Sequence, residues 1–155
     1  MEFHAGPIAL PTLADTEACA RRLAPRLLPG DVILLSGPIG AGKSAFARAL
    51  IRARLDNPDE EVPSPTFTIV QTYSDATADI WHCDLYRLSH PQEAVELGLD
   101  EAFETAICLI EWPDRISALL PERALAITLS AGENAHQITV TGPPAWANRL
   151  EAVFV

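Results

Sequence analysis

The sequence predicts an α/β fold with a mixed parallel/antiparallel central sheet, and three observations predict it. Asp31–Ser36 (DVILLS) is a short, nearly all-apolar run, the signature of a strand buried on both faces. A glycine-rich turn and a helical pattern follow it directly. A second run of the same kind, Ala106–Glu111 (AICLIE), comes later, followed by two alternating segments around a hairpin signal.

The elements follow in order. Phe3–Leu10 is compatible with an edge strand. Thr12 to about Leu28 reads as a helix, with Leu13, Ala20, Leu23, Ala24, Leu27 and Leu28 near one face and Pro29-Gly30 as the stop. After the strand at Asp31–Ser36, Lys43 to about Leu55 is helical, with Phe46, Leu50 and Ala53 at helical spacing. Asn57–Pro65 is a polar loop. Thr66–Tyr73 and Ala78–Tyr86 read as an antiparallel strand pair turning near Ser74-Asp75. Ser89 caps a helix through Leu97, with Gln92 in capping-box position and Gly98 at the end. A short helix over Asp100–Glu104 leads into the strand Ala106–Glu111, and a helix over Pro113–Leu120 follows. Ala124–Leu129 and Gln137–Thr141 alternate around Gly132-Glu133-Asn134, and Trp146–Phe154 is compatible with a last short helix.

Composition sets the bounds. At 155 residues, one domain over 1–155 is expected. With 48% hydrophobic and 21% charged residues the chain is of globular type, and it needs no disulfide or structural metal to fold. No run reaches the ~18 apolar residues of a membrane span. The N-terminal segment lacks the basic start and apolar stretch of a signal peptide. Three well-separated cysteines, Cys19, Cys83 and Cys108, fit reduced thiols, so a cytoplasmic location is expected. The net charge is −10, split unevenly: residues 1–54 carry +3 and residues 55–155 carry −13. Such a chain is a poor polyanion binder, so any nucleic acid is expected to be held by a partner.

Residues 37–44 read GPIGAGKS, matching G-x-x-x-x-G-K-[ST] between a buried strand and a helix, where that motif belongs. Gly37, Gly40 and Gly42 let the backbone bend around phosphates. The loop N–H groups and the helix N-terminus favour an anion. Lys43 can reach the β/γ-phosphates, and Ser44 can place its hydroxyl on Mg²⁺. Lys43 is the only lysine, beside ten arginines, and stands in the one motif that requires it. The motif predicts nucleoside-phosphate binding, not the base or the reaction.

A P-loop needs an acid at the end of a neighbouring buried strand. Glu111 ends one and is followed by Trp112-Pro113; it is either a metal-side carboxylate or an exposed strand end. Asp84, within IWHCDLY, faces either solvent or the phosphates. Thr66, in VPSPTF, is either a γ-phosphate hydroxyl or part of a proline-stiffened turn. His82 and Cys83 point to opposite strand faces, which argues against a shared metal site, and no role follows for the other histidines.

Together, GPIGAGKS, VPSPTFTIV, HCDLYRL, ELGLDEAF and CLIEWPDRI, in this order and spacing, resemble the TsaE (YjeE) family over roughly residues 8–142. The resemblance implies a bacterial ATPase with a P-loop NTPase-like three-layer α/β fold, needed to make threonylcarbamoyladenosine in ANN-decoding tRNAs beside TsaD and TsaB. It implies ATP and Mg²⁺ as cofactors. Carried over, the cradle takes in Gly37, Pro38, Ile39, Gly40, Ala41, Gly42, Lys43, Ser44 and Ala45. Glu111 matches the metal-side Glu, Trp112 its neighbour, Asp84 the acid of the DLYRL block and Thr66 the Thr of the SPT loop. An adenine pocket is implied near Thr12–Leu13 and Gly132–Glu133. Pro38 and Ile39 stand where the family usually has an acid and a Leu, Ser44 where it has Thr, and His136 where it often has a basic residue.

The leading expectation is therefore a partner-activated ATPase, with Lys43, Thr66, Asp84 and Glu111 around the γ-phosphate. Alternatives are a nucleotide-gated assembly subunit without turnover, or a small-molecule kinase. Against a kinase, only four basic residues follow residue 55. With its only lysine in the P-loop, the chain has no N-K-x-D guanine-reading motif. The basic cluster Arg21, Arg22, Arg26, Arg48, Arg52 and Arg54 is expected to pair with acids of this chain or a partner. Contact with tRNA is expected only through TsaD and TsaB, with no DNA and no membrane.

Overall fold

The computed structural model describes residues 2–132 and 135–154. A seven-stranded mixed sheet forms the middle layer, with helices on both faces. Its strands are β1 (Phe3–Leu10), β2 (Val32–Ser36), β3 (Val70–Ser74), β4 (Asp79–Asp84), β5 (Ile107–Glu111), β6 (Leu125–Ala131) and β7 (His136–Gly142). The spatial order is β1-β7-β6-β2-β5-β4-β3. β4, β5, β2 and β6 run parallel, while β1, β7 and β3 pair antiparallel at the two sides. The all-apolar runs are the central strands, as full burial on both faces requires.

One core packs α1 (Leu13–Leu23) and α2 (Lys43–Leu55) on the sheet through Leu23, Phe46, Leu50, Ile33, Leu35 and Leu109. The other packs α3 (Gln92–Glu96) and α4 (Leu99–Thr105) through Ala94, Phe103, Val32, Cys83, Cys108 and Ile110. Each fully buried aliphatic or aromatic side chain contributes about 1.5–3 kcal/mol. Burial pushes the Cys108 thiol up to about 12, so it packs as an uncharged apolar group. Among the described residues, no helix is long and apolar enough to cross a membrane.

Several expected boundaries are corrected. The first helix stops at Leu23, because Pro25 has no N–H to continue it, and a 3₁₀ turn over Ala24–Arg26 follows. Its start is a capping box: Thr12 Oγ1 accepts from Asp15 N, and Asp15 Oδ2 accepts from Thr12 N. Leu13 and Leu28 are 62% and 58% exposed rather than on the buried face. Asp31 lies outside β2; its carboxylate accepts from Leu28 N and is gripped by Arg149. Residues 66–69 form a turn, not a strand: Ile69 adopts φ +70° and donates to Pro65 O at 2.7 Å. β4 ends at Asp84, short of the expected Tyr86. The helix before Gly98 is capped by Glu93, whose Oε1 accepts from the N–H groups of Ser89 and His90, not by a Ser89–Gln92 box. Pro113–Leu119 is 3₁₀ helix broken at Ile116, and the last helix, α5, is only Trp146–Arg149.

The arginine cluster is largely spent inside the molecule. Arg22, Arg48 and Arg52 donate Nε to the carbonyls of Val153, Val62 and Glu60, while Arg54 pairs with Asp75 at 2.7 Å. Backbone carbonyls, more than acids, are the partners.

Candidate functional site

The site lies at the C-terminal ends of adjacent parallel strands, where a doubly wound sheet opens a crevice. Register brings the parts together: Leu35 of β2 lies beside Glu111 of β5, which lies beside Asp84 of β4. β2 runs out at Ser36, and the loop 37–42 turns the chain into α2.

Gly37 requires its missing side chain. At φ +141°, a Cβ would stand 2.1 Å from the Leu129 carbonyl oxygen. Gly40, at φ +86°, has no neighbour within 4 Å of a Cβ, so that direction is open. Gly42 is the N-cap of α2 and brings no side chain to its first-turn N–H groups. These donors are left to an anion.

Lys43 is 6% exposed, unusual for a lysine. Its Nζ donates to Gly37 O at 2.6 Å and stands 3.6 Å from the centre of the Trp112 ring. Burial pushes its pKa down, and the carboxylates of Glu111, Asp84 and Asp114 oppose that shift. Trp112 takes φ +58°, which turns the chain immediately after Glu111.

Glu111 is 2% exposed, so it is not an exposed strand end. Its Oε1 accepts from Ser44 Oγ at 3.4 Å, and its Oε2 pairs with His82 Nε2 at 2.7 Å. Asp84 is also buried rather than solvent-facing. Its Oδ2 accepts from Thr66 Oγ1 at 3.2 Å, and its Oδ1 accepts from Tyr86 N at 3.0 Å. Thr66 also shares a hydrogen bond with Ser64 Oγ at 2.8 Å. The proline-stiffened turn thus delivers the Thr66 hydroxyl to the carboxylate.

These groups line a cleft of about 800 Å³. Ile39, Gly40, Gly42, Lys43, Ser44, Ala45, Thr66, Asp84, Glu111 and Trp112 form one side, and Leu10, Thr12, Leu13, Gly132 and His136 reach it from β1, α1 and the β6–β7 end. Leu13, out of place as a core residue, is therefore an apolar cleft wall. Gly37, Pro38 and Ala41 shape the loop without lining the cleft. Glu133, expected beside Gly132, lies outside the described residues. The sequence reading missed Thr16 and Tyr86, which also line the cleft, and His82, bonded to Glu111 behind it. The signal for His82 was there: two positions before Asp84 on one strand, it shares Asp84's face.

The arrangement is a glycine loop leading into a helix N-terminus, beside a buried lysine, a hydroxyl–carboxylate pair and a second carboxylate. Residues 10–138 match the family model described as "Threonylcarbamoyl adenosine biosynthesis protein TsaE". The chain is 40% identical over 120 residues to the tRNA threonylcarbamoyladenosine biosynthesis protein TsaE of Rickettsia conorii, covering 77% of this chain and 68% of that one. It is 38% identical over 139 residues to its namesake in Bacillus subtilis, covering 88% and 84%. The crystal structure of Bacillus subtilis YdiB superposes with a TM-score of 0.71 at 31% identity, over 99% of this chain and 90% of that one. The match spans the cradle, both carboxylate strands and the entry to the closing hairpin, and by it this chain belongs to the TsaE family of tRNA threonylcarbamoyladenosine biosynthesis.

Proposed function

We propose that this chain is an ATPase, weak alone and stimulated by TsaD and TsaB, whose hydrolysis supports turnover of their threonylcarbamoyl transfer to tRNA. The observation that carries the reading is the convergence of Lys43, Ser44, Glu111, Asp84 and Thr66 at one cleft under the N-terminus of α2.

The residues fit a magnesium nucleotide. The α2 N-terminus leaves donors for phosphate oxygens, and the open side of Gly40 leaves room for them. Ser44 and Glu111 are oxygen donors of the kind magnesium takes and would hold it, directly or through water. Magnesium, when bound, neutralises charge on the phosphate oxygens. Lys43 supplies the positive charge for the β/γ-phosphates. Its partial desolvation strengthens that interaction, because little water screens it. Asp84, held by Tyr86 N and Thr66, orients the attacking water, and Thr66 faces the γ-phosphate. Leu13 and Gly132 wall the adenine end. The −13 charge over residues 55–155 supports tRNA being held by the partners rather than by this chain.

The test is ATP hydrolysis by the purified chain with and without TsaD and TsaB. Turnover should be slow alone and rise with both partners. Nucleotide binding with no turnover in either state would replace the reading with a nucleotide-gated assembly subunit.

A further inference from the structure

His82 has no place in the mechanism above. It is 1% exposed and absent from the cleft lining, so it cannot touch a nucleotide. Its one side-chain partner is Glu111 Oε2, at 2.7 Å. Its other ring nitrogen, Nδ1, is buried without a hydrogen-bond partner. Against a carboxylate oxygen the ring is the donor, through Nε2. The ring therefore makes a single directed bond. Such a bond is a weak source of stability, because an apolar pair packs as well and needs no desolvation.

What the bond does is fix a carboxylate. Glu111 sits at the strand end, and with Ser44 as its only partner one oxygen of its buried carboxylate would be left without a hydrogen bond. Held at Oε2, it presents Oε1 toward Ser44 Oγ. β4 and β5 are parallel, with His82 beside Leu109 and Asp84 beside Glu111, so His82 reaches Glu111 diagonally from the core side. We propose that His82 is a positioning residue for Glu111, holding one oxygen so that the other faces Ser44 and the divalent cation. This rests on the reading of Ser44 and Glu111 as the metal side of the site.

The experiment measures ADP affinity calorimetrically across a Mg²⁺ titration and in EDTA, for wild type, His82→Phe, His82→Gln and Glu111→Gln. Partners of metal ligands typically govern affinity by about 10–100-fold. His82→Phe, which fills the space without a donor, should raise the Mg²⁺ requirement about tenfold or more while leaving ADP affinity in EDTA within about twofold. His82→Gln restores a donor and should return the requirement to within about threefold of wild type. Glu111→Gln combined with His82→Phe should cost little more than Glu111→Gln alone, since both act through one carboxylate. If Glu111→Gln shifts the Mg²⁺ requirement and His82→Phe does not, the positioning role is wrong. If Glu111→Gln shifts nothing, the metal-side reading itself fails. Should His82→Phe not fold, His82→Gln decides: a tenfold loss despite the retained donor overturns the proposal.

Discussion

Replacing Lys43 with alanine separates folding from binding. In the folded protein the ammonium makes a charged hydrogen bond to Gly37 O, of the kind worth about 1.5–3 kcal/mol, and a cation–π contact with Trp112 worth about 0.5–2 kcal/mol. Against these stands the cost of burying it, which pushes its pKa down. The opposing effects leave a net destabilisation of about 1–2 kcal/mol, or roughly 2–8 °C in melting temperature for a chain this size. Binding has no such offset. The variant loses one charge-assisted phosphate bond, about 1.5–3 kcal/mol, which weakens ADP about 10–150-fold. It also takes the lysine charge away from beside the Glu111 and Asp84 carboxylates, which pushes affinity lower still. The assay is calorimetric titration of ADP with Mg²⁺, alongside thermal melts. Lys43→Met is the companion variant, since it keeps the apolar stem. ADP affinity within threefold of wild type in a folded variant would refute the phosphate assignment.

Other outcomes follow from the same geometry. Gly37→Ala would place a Cβ 2.1 Å from Leu129 O and should cost about 3 kcal/mol or more in urea unfolding, whereas Gly40→Ala meets nothing and should cost about 1–2 kcal/mol while weakening ADP. Asp84→Asn should leave ADP affinity nearly intact and lower hydrolysis, while Glu111→Ala should weaken the Mg²⁺ dependence of binding; equal loss of ADP affinity in both contradicts that division. Asp75 gives an acid dependence: burial pushes its carboxyl up, but hydrogen bonds from Thr77, Ala78 and Arg54 outweigh this and bring it from 3.8 to about 2. A lowered folded-state value stabilises above the unfolded one, so this contribution is full above about pH 4 and is lost on falling toward pH 2. Melting curves of Asp75→Asn should therefore converge on wild type across that window. Finally, tRNA anisotropy with the chain alone at physiological salt should not change, because residues 55–155 carry −13 and Arg22, Arg48, Arg52 and Arg54 are bonded internally; salt-sensitive binding lost in Arg48→Ala/Arg52→Ala would contradict this.

Much of the site was legible because its signals are local. A glycine loop between a buried strand and a helix needs only neighbouring residues to declare itself, and so does a lone lysine at its end. The apolar runs declared the central strands for the same reason: burial on both faces leaves no polar positions. Local signals also misled where tertiary forces overrode them. Thr66–Ile69 has strand-prone composition, yet the chain turns there, because Ile69 N bonds Pro65 O and Ile69 O receives Asp84 N. Leu13 fits a helical apolar stripe, yet it opens onto the cleft.

What the sequence determined by itself was the glycine loop and the central strands, each carried by residues close together in the chain, and the family, carried by five short blocks in order along it. What only the tertiary structure decided was which side chains meet. Period-two alternation says that His82 and Asp84 share a face, but not which strand lies beside them or in what register. Parallel pairing of β4 with β5 sets Asp84 against Glu111, buries both acids, and brings His82 to Glu111 across 29 residues of chain. The same folding lays Trp112 over Lys43, a contact between residues 69 apart whose spacing carries no period. Such pairings come from how strands stack and turn in three dimensions, and no local propensity encodes them.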